Sequence, residues 1–352
     1  MKWISYLTVT LFVFSAQARE WFEAYTNARS NAMGGVKLAM TADDTSLFRN
    51  PASLASFRGG YVTLLDPEAE VSSGFSSSFS GIQTDVVKVK DLLINNLDRF
   101  YHAKLQLTPS LTLRNFSFGL IYKSEISAII NSQAPTQMDT IYNNDIGVAL
   151  GYTKSFWDGS IKLGAVTKMI NRVEIDNPIL DTTTSLELDQ IASNGSAIGF
   201  DASIQLQAAI KYFPTLVIMG RDLGNLEFKD PLIKSVNTSL RPQKVLQSVD
   251  VGFSFQPLLS RSVRSLFSFE YVDVSNSRQD DFSNKRIHAG AEFNWNDIFY
   301  FRLGVNQLYW TTGIEIATER LSWQVTTYGE EVGVKDNPKE DRRISTKIAF
   351  RF

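Results

Sequence analysis

The 352-residue chain carries 35 Lys and Arg against 37 Asp and Glu, a formal charge of -2, and is 43% hydrophobic. This near-neutral balance gives no reason to expect nucleic acid as a partner, and the length suits one large barrel or two soluble domains. With no Cys and only two His, disulfides, thiolate metal sites, Cys nucleophiles and a His-rich metal centre are all excluded, and no cofactor is indicated.

Residues 1–18 read as a secretory signal peptide. Lys2 supplies the positive start, Ile4 to Phe14 the apolar stretch, and Ala16-Gln17-Ala18 the small-x-small cleavage site, which leaves Arg19 as the first mature residue. Beyond residue 18 no run approaches the roughly 18 apolar residues of a spanning helix. A membrane-embedded mature chain must therefore cross as a closed β-barrel, the other structure that satisfies every backbone group in lipid.

Residues 19–56 do not alternate. They contain Ala28-Arg29, Met33-Gly34-Gly35-Val36, Asp43-Asp44 and Asn50-Pro51-Ala52-Ser53-Leu54. Gly34 and Gly35 permit close backbone approach or positive φ in a confined space. Thr45 to Phe48 suits a short helical turn, ended because Pro51 disfavours helix at Asn50. Asp43 and Asp44 either cap that turn or pair with an inward Arg.

Residues 57–352 carry period-two segments, clearest from about residue 102 onward. Leu105 to Leu113, Phe116 to Tyr122, Ile146 to Tyr152, Ile198 to Leu206, Val249 to Phe255, Ile287 to Trp295, Phe299 to Val305 and Leu321 to Val325 alternate apolar with polar or Gly residues. Each alone suits half of a soluble sandwich. Gly, Asp, Glu and Arg in mid-strand on the polar face, with Phe, Tyr and Trp on the apolar face, favour a lipid-facing exterior and a polar lumen. Trp295-Asn296-Asp297-Ile298 and the Asp158-Gly159 turn are short, whereas 130–140, 177–196, 223–244, 275–285 and 329–342 are longer. Asp85 to Tyr101 has helical spacing, and Ser185 to Ala192 suits a short helix within a loop. The expectation is an all-β, transmembrane antiparallel β-barrel of about 14 strands over residues 57–352.

The final run, Ile344 to Phe352, alternates with aromatics at Phe350 and Phe352. It resembles the terminal signal read by the bacterial barrel-assembly machinery, although Lys347 stands where Gly is usual. On the polar face, Glu270, Arg286, His288, Glu292 and Arg302 are candidates for a lumen network. His102 and His288 are the two imidazoles, and no G-x-S-x-G elbow accompanies them, which favours a hydrogen-bonding over a catalytic role. Asp280-Asp281 and Glu330-Glu331 lie in expected loops and suit solvation more than cation binding. Few apolar residues point inward: Ile121, Val166, Ile170 and Leu266.

The N-terminal motif, Arg29, Met33, Gly34, Gly35, Asp43, Asp44, Asn50, Pro51 and Ala52, resembles the opening of FadL-type outer-membrane proteins and of the related PorV-type and conjugation-associated barrels. Val36 and Ser53 depart from the usual Ala and Gly. The resemblance covers about 40 residues. It implies that residues 19–56 form a plug or hatch inside the lumen, a Gram-negative outer-membrane location, and passage of small hydrophobic molecules such as fatty acids without catalysis. The alternative it leaves open is a sealed scaffold that assists secreted or surface proteins. Implied partners are outer-membrane lipid, lipopolysaccharide, the barrel-assembly machinery and a hydrophobic ligand.

Overall fold

The alternating segments become one antiparallel sheet. The computed structural model describes residues 23, 25–57, 59–76, 82–180, 187–279 and 282–352; the expected signal peptide and Asp280-Asp281 lie outside them. The strands are β1 Tyr61–Leu65, β2 Glu68–Ser72, β3 Tyr101–Leu107, β4 Ser110–Thr112, β5 Phe116–Ile130, β6 Gln137–Phe156, β7 Ile161–Asp176, β8 Ile179–Leu180, β9 Ser193–Gln207, β10 Thr215–Arg221, β11 Ser248–Phe255, β12 Val263–Tyr271, β13 Ile287–Trp295, β14 Phe299–Asn306, β15 Tyr309–Ala317, β16 Leu321–Glu331 and β17 Glu340–Arg351.

Two staves are broken by proline, which has no N–H for the ladder. β1 and β2 form one stave interrupted at Asp66-Pro67; β3 and β4 form the next, interrupted at Thr108-Pro109. The two-residue β8 pairs only with β6. The remaining pairings make a closed barrel of 14 antiparallel staves. Closure runs through β17, with Thr63 opposite Arg351 and Val71 opposite Ile344. The Phe352 N–H donates to the Val62 carbonyl at 2.8 Å, and Val62 N–H donates back at 2.9 Å.

The polarity of the wall is inverted relative to a soluble protein. In β14, Phe301, Leu303 and Val305 are exposed on the outer face, while Arg302 and Asn306 are buried inward. The same alternation holds in β5, β15 and β16. Trp157, Trp295, Phe299, Trp323 and Phe352 are exposed around the end with the tight turns, where an aromatic girdle belongs. The opposite end carries the connections 73–100, 177–192, 222–247 and 272–286.

β5, β6, β7 and β9 run 15 to 20 residues, beyond the roughly 9–11 that span a bilayer. Their outer ends keep an apolar outward face that lipid does not reach. α3, Val86–Ile94, covers it. Asp85 caps this helix by accepting from the Val87 and Lys88 N–H groups at 3.0 and 3.2 Å. Val86, Val89 and Leu93 fall on one helix face and pack on Tyr101, Ile126, Ala128, Ile130, Val173 and Ile175. The helix ends at Ile94, short of the expected Tyr101, which instead opens β3. The second expected helix is the single turn α4, Leu188–Ile191.

Residues 25–56 lie against the inward face of the wall. They contain α1, Ala28–Ala32, α2, Ser46–Arg49, and a 3-10 turn, Pro51–Ser56, and most are buried. A lipid-facing exterior predicts that Leu303→Arg, in mid-strand, costs about 2–4 kcal/mol of stability. Denaturant unfolding from lipid vesicles checks this; an unchanged midpoint would contradict the assigned outer face.

Candidate functional site

The N-terminal segment is fastened first through its backbone. Asn27 caps α1 by accepting from the Ser30 N–H at 2.7 Å. The wall then bonds to backbone groups of this short helix. Glu68 accepts from Ala28 N–H at 3.2 Å, Thr326 donates to the Ala28 carbonyl at 3.0 Å, and Thr311 donates to the Ala32 carbonyl at 2.8 Å. At Gly34, φ is +71° and a Cβ would sit 2.2 Å from the Ala289 carbonyl oxygen and 2.6 Å from that of Val305. Only glycine fits there, because both the backbone angle and the contact exclude a side chain. Gly34 N–H donates to Thr311 Oγ1 at 2.9 Å, and His288 Nδ1 donates to the Gly34 carbonyl at 2.9 Å. Glu270 accepts from the Lys37 and Leu38 N–H groups at 2.7 and 3.0 Å.

A ladder of alternating charges runs from this segment into the wall and back. Arg49 Nη2 lies 2.8 Å from Asp43 Oδ1, and Asp43 Oδ2 lies 2.6 Å from Arg29 Nη1. Arg29 grips Glu292 with two bonds, at 2.8 and 2.7 Å, a planar fork that lysine does not offer. Glu292 also accepts from Arg302 Nε at 2.7 Å, because β13 and β14 place the two residues directly opposite each other. Arg302 continues to Glu315, Glu315 lies 4.0 Å from Arg351, and Arg351 lies 3.3 Å from Asp44. Asp43 additionally accepts from the Thr45 N–H at 2.9 Å at the start of α2. Burial alone would raise the Asp43 carboxyl, but Arg49 and Arg29 beside it hold it well below the usual carboxylate range.

On the other side of the lumen the contacts are apolar. Tyr25, Leu47, Phe48 and Leu54 of the segment pack on Ile121, Ala149 and Val166 of β5, β6 and β7. Tyr25 and Phe48 stack with ring centroids 4.8 Å apart. A Cβ at Gly119 would meet the tip of the Phe48 ring at 2.6 Å, so the ring fits only against bare backbone. Asn50 fixes the turn that follows. Its Oδ1 accepts from Ala52 N–H at 3.1 Å and from Ser203 Oγ at 2.9 Å, while its Nδ2 donates to the Leu38 carbonyl at 2.9 Å. Pro51 ends α2 as expected and also opens the 3-10 turn. The cavity left between these apolar groups and the neighbouring Lys168, Asp201 and Arg221 is about 40 Å³. A larger polar cavity of about 370 Å³ opens beside the ladder at the tight-turn end.

The structure brings Glu270, His288, Glu292 and Arg302 against the segment. Arg286 stands apart: it ends the 283–286 turn at the long-loop end and donates to Asn276. Ile170 and Leu266 face inward but touch other neighbours, Ile170 with Leu226 and Phe228, and Leu266 with Met33 and Met40. Glu330 accepts from Asn306 and Gln307, and Glu331 from Tyr309 and two loop N–H groups. Among the described residues no cluster of three or more His, Asp or Glu is placed to hold a metal ion. The sequence reading missed a second inward cluster: Glu70 pairs with Lys104 at 3.0 Å and His102 at 3.0 Å, and Lys104 also reaches Glu68 at 3.1 Å. Its signal was present as Glu68, Glu70, His102 and Lys104 at alternate positions of two strands.

Two outcomes follow. Arg29→Ala leaves Glu292 and Asp43 each short of a buried partner, a loss of about 3–5 kcal/mol; the segment should loosen and single-channel conductance in planar bilayers should rise, whereas wild-type conductance would contradict its fastening role. The Asp43 carboxylate is lowered in the folded state, so its contribution is present above its unfolded value of about 3.9 and is lost as pH falls through the lower folded value. The stability difference between wild type and Asp43→Asn should therefore stay constant from pH 7 to pH 5 in denaturant unfolding; a shrinking difference in that window would contradict the pairing.

No protein-family model matches the chain, and no curated protein matches it. Solved structures do. The chain is similar to the toluene transporter TbuX of Ralstonia pickettii, with TM-score 0.52 and 12% identity over 93% of this chain and 97% of that one. It is similar to the toluene transporter TodX of Pseudomonas putida, with TM-score 0.50 and 9% identity over 95% and 98%. The monoaromatic hydrocarbon channel CymD matches with TM-score 0.50 and 12% identity over 92% and 96%. At such identities the likeness is one of fold, and it spans both chains almost end to end. The chain has the barrel fold of these channels, the fold expected from its FadL-type opening.

Proposed function

We propose that the protein is an outer-membrane channel of a Gram-negative bacterium for uptake of small hydrophobic molecules, without catalysis of its own. One observation carries this reading. In a lumen lined largely by Lys, Arg, Asp and Glu, Leu47 and Phe48 of the N-terminal segment meet Ile121, Ala149 and Val166 of the wall in an apolar patch with a small cavity beside it. A sealing role alone needs no such patch, since the charge ladder already fixes the segment. Similarity to barrels described as toluene transporters and a monoaromatic hydrocarbon channel supports the same substrate class.

The cavity of about 40 Å³ is close to the roughly 30 Å³ of one water, so a monoaromatic ring or an acyl chain enters only if Phe48 moves. In this reading residues 25–56 act as a plug. The charge ladder is its fixed side, and the Phe48 ring, held by packing without charge pairs, is its movable side. The patch abuts the two broken staves: Gly119, under Phe48, pairs with Ser110 just after Pro109. There Asp66 accepts from Thr108 N–H at 2.5 Å and pairs with Lys347 at 2.8 Å, replacing ladder bonds by side chains. That interruption is the natural sideways exit into lipid. Phe350 and Phe352 fit recognition by the barrel-assembly machinery.

Ile121→Asp puts a charge into the patch and should lower uptake of radiolabelled toluene by proteoliposomes about tenfold or more, while Phe48→Ala should raise it. Equal uptake by wild type and Ile121→Asp, both folded by heat-modifiability on gels, would remove the patch from the transport path.

A further inference from the structure

The cavity of about 40 Å³ beside Phe48 has a second boundary, supplied by the long-loop end. Leu226 and Val245, from the connection 222–247, line it together with Leu47, Phe48, Ile121 and Val166. This connection stands where a stretch of wall is lacking. β7 accompanies β9 as far as Ser193, whereas β10 accompanies it from Gln207 to Ala202. Beyond Ala202 the edge of β9 bonds to the connection instead. Leu223 N–H donates to the Phe200 carbonyl at 2.8 Å, and Asn194 N–H donates to the Leu240 carbonyl at 3.1 Å. Between them, Lys229 N–H donates to the Ser196 carbonyl at 2.8 Å and Ser196 N–H donates back at 3.2 Å. A strand edge left bare needs such cover.

The cover is one chain thick. Leu226 and Phe228 are buried with Ile170 and Ala197, while the alternate residues Glu227 and Lys229 are exposed. The buried pair sits in notches on β9. A Cβ at Gly199 would lie 2.9 Å from Leu226 Cδ1, and one at Gly195 would lie 3.0 Å from Phe228 Cβ. Arg172 lies over the Phe228 ring, 5.2 Å from its centroid. Leu226 and Val245 exchange backbone bonds at 2.9 and 3.0 Å, which joins the two arms of the connection into one strap. At its stem Asp222, Gly224 and Asn225 have φ of +49°, +85° and +67°. Such loop positions absorb the φ and ψ change of a hinge, and backbone bonds at an exposed seam open more readily than those of the wall.

We propose that this strap is the entrance of the channel. A hydrophobic molecule reaches the Phe48 patch when residues 225–245 swing away and lift Leu226 and Phe228 out of the notches at Gly199 and Gly195. The inference rests on the uptake reading above, and it adds Leu226, Phe228 and Val245 to the residues that decide what enters.

A lock on the strap tests it. The chain has no Cys, so Ser196→Cys/Lys229→Cys introduces a single pair, at positions that face each other across the seam. Hydrogen-bonded neighbours of an antiparallel pair lie within disulfide reach. Intact Gram-negative cells carrying this variant are given radiolabelled toluene. The expected result is uptake at the level of cells without the chain when the pair is oxidised, restored by reductant. Phe228→Ala, which empties one notch, should raise uptake and serves where the Cys pair fails to fold or to oxidise. Equal uptake with the pair oxidised and reduced, or uptake unchanged by Phe228→Ala, overturns the entrance. Ile121→Asp separates the two failures: if it lowers uptake while the locked strap does not, the entrance alone falls, and if neither lowers uptake the transport reading falls with it.

Discussion

Everything in this molecule follows from the need to pair every backbone N–H and C=O that enters lipid. A sheet meets that need only when it has no edge. Here the last stave bonds to the first, Thr63 opposite Arg351, and the cylinder closes. Closure fixes the polarity of the side chains, because period-two alternation then gives one face to lipid and the other to the lumen. Leu303 and its outward neighbours are at home in hydrocarbon. Their inward partners, Arg302 among them, must find bonds inside.

The lumen meets that second demand with the chain's own N-terminal segment. Buried charges are costly unless paired and fully bonded, and the wall contributes Glu68, Glu70, Glu270, Glu292, Glu315 and Arg302 to the interior. Arg29, Asp43, Asp44 and the backbone of residues 28–38 answer them. The segment and the wall thus solve one problem jointly, and their backbones meet closely at Gly34 and at Gly164. Leu47 and Phe48 meet Ile121 and Val166 by apolar packing without charge pairs. This packing lies beside the break in the staves, where Gly119, under Phe48, pairs with Ser110 just after Pro109.

Much of this was legible in the sequence because period-two patterning is local. The alternation from Leu105 to Val325 marks the strands and their faces, and the glycines and paired acids of residues 28–52 mark a segment of another kind. Contacts between distant positions were not legible. Glu292 and Arg302 meet across a tight turn, which spacing can suggest, whereas Arg29 meets Glu292 across most of the chain. Arg286 shares the strand pattern's sign but falls in the turn before β13, so its position at the long-loop end was invisible to a count of polar residues. The helical spacing after Asp85 was visible, but its docking on the outside of the wall was not, since nothing in the alternation of β5 to β7 shows where lipid ends and protein cover begins. The break at Thr108-Pro109 was written in the sequence; its pairing with Asp66-Pro67 depended on register.

If the apolar patch receives a hydrophobic molecule, mass spectrometry of small molecules extracted from the detergent-purified barrel, against a mock purification, shows it. The expected result is a fatty acid, aromatic hydrocarbon or comparable hydrophobe near one per barrel and absent from the control. A barrel carrying only the bulk lipid of the mock sample, with a surface or secreted protein held alongside it, would contradict the claim and leave a sealed scaffold as the better description.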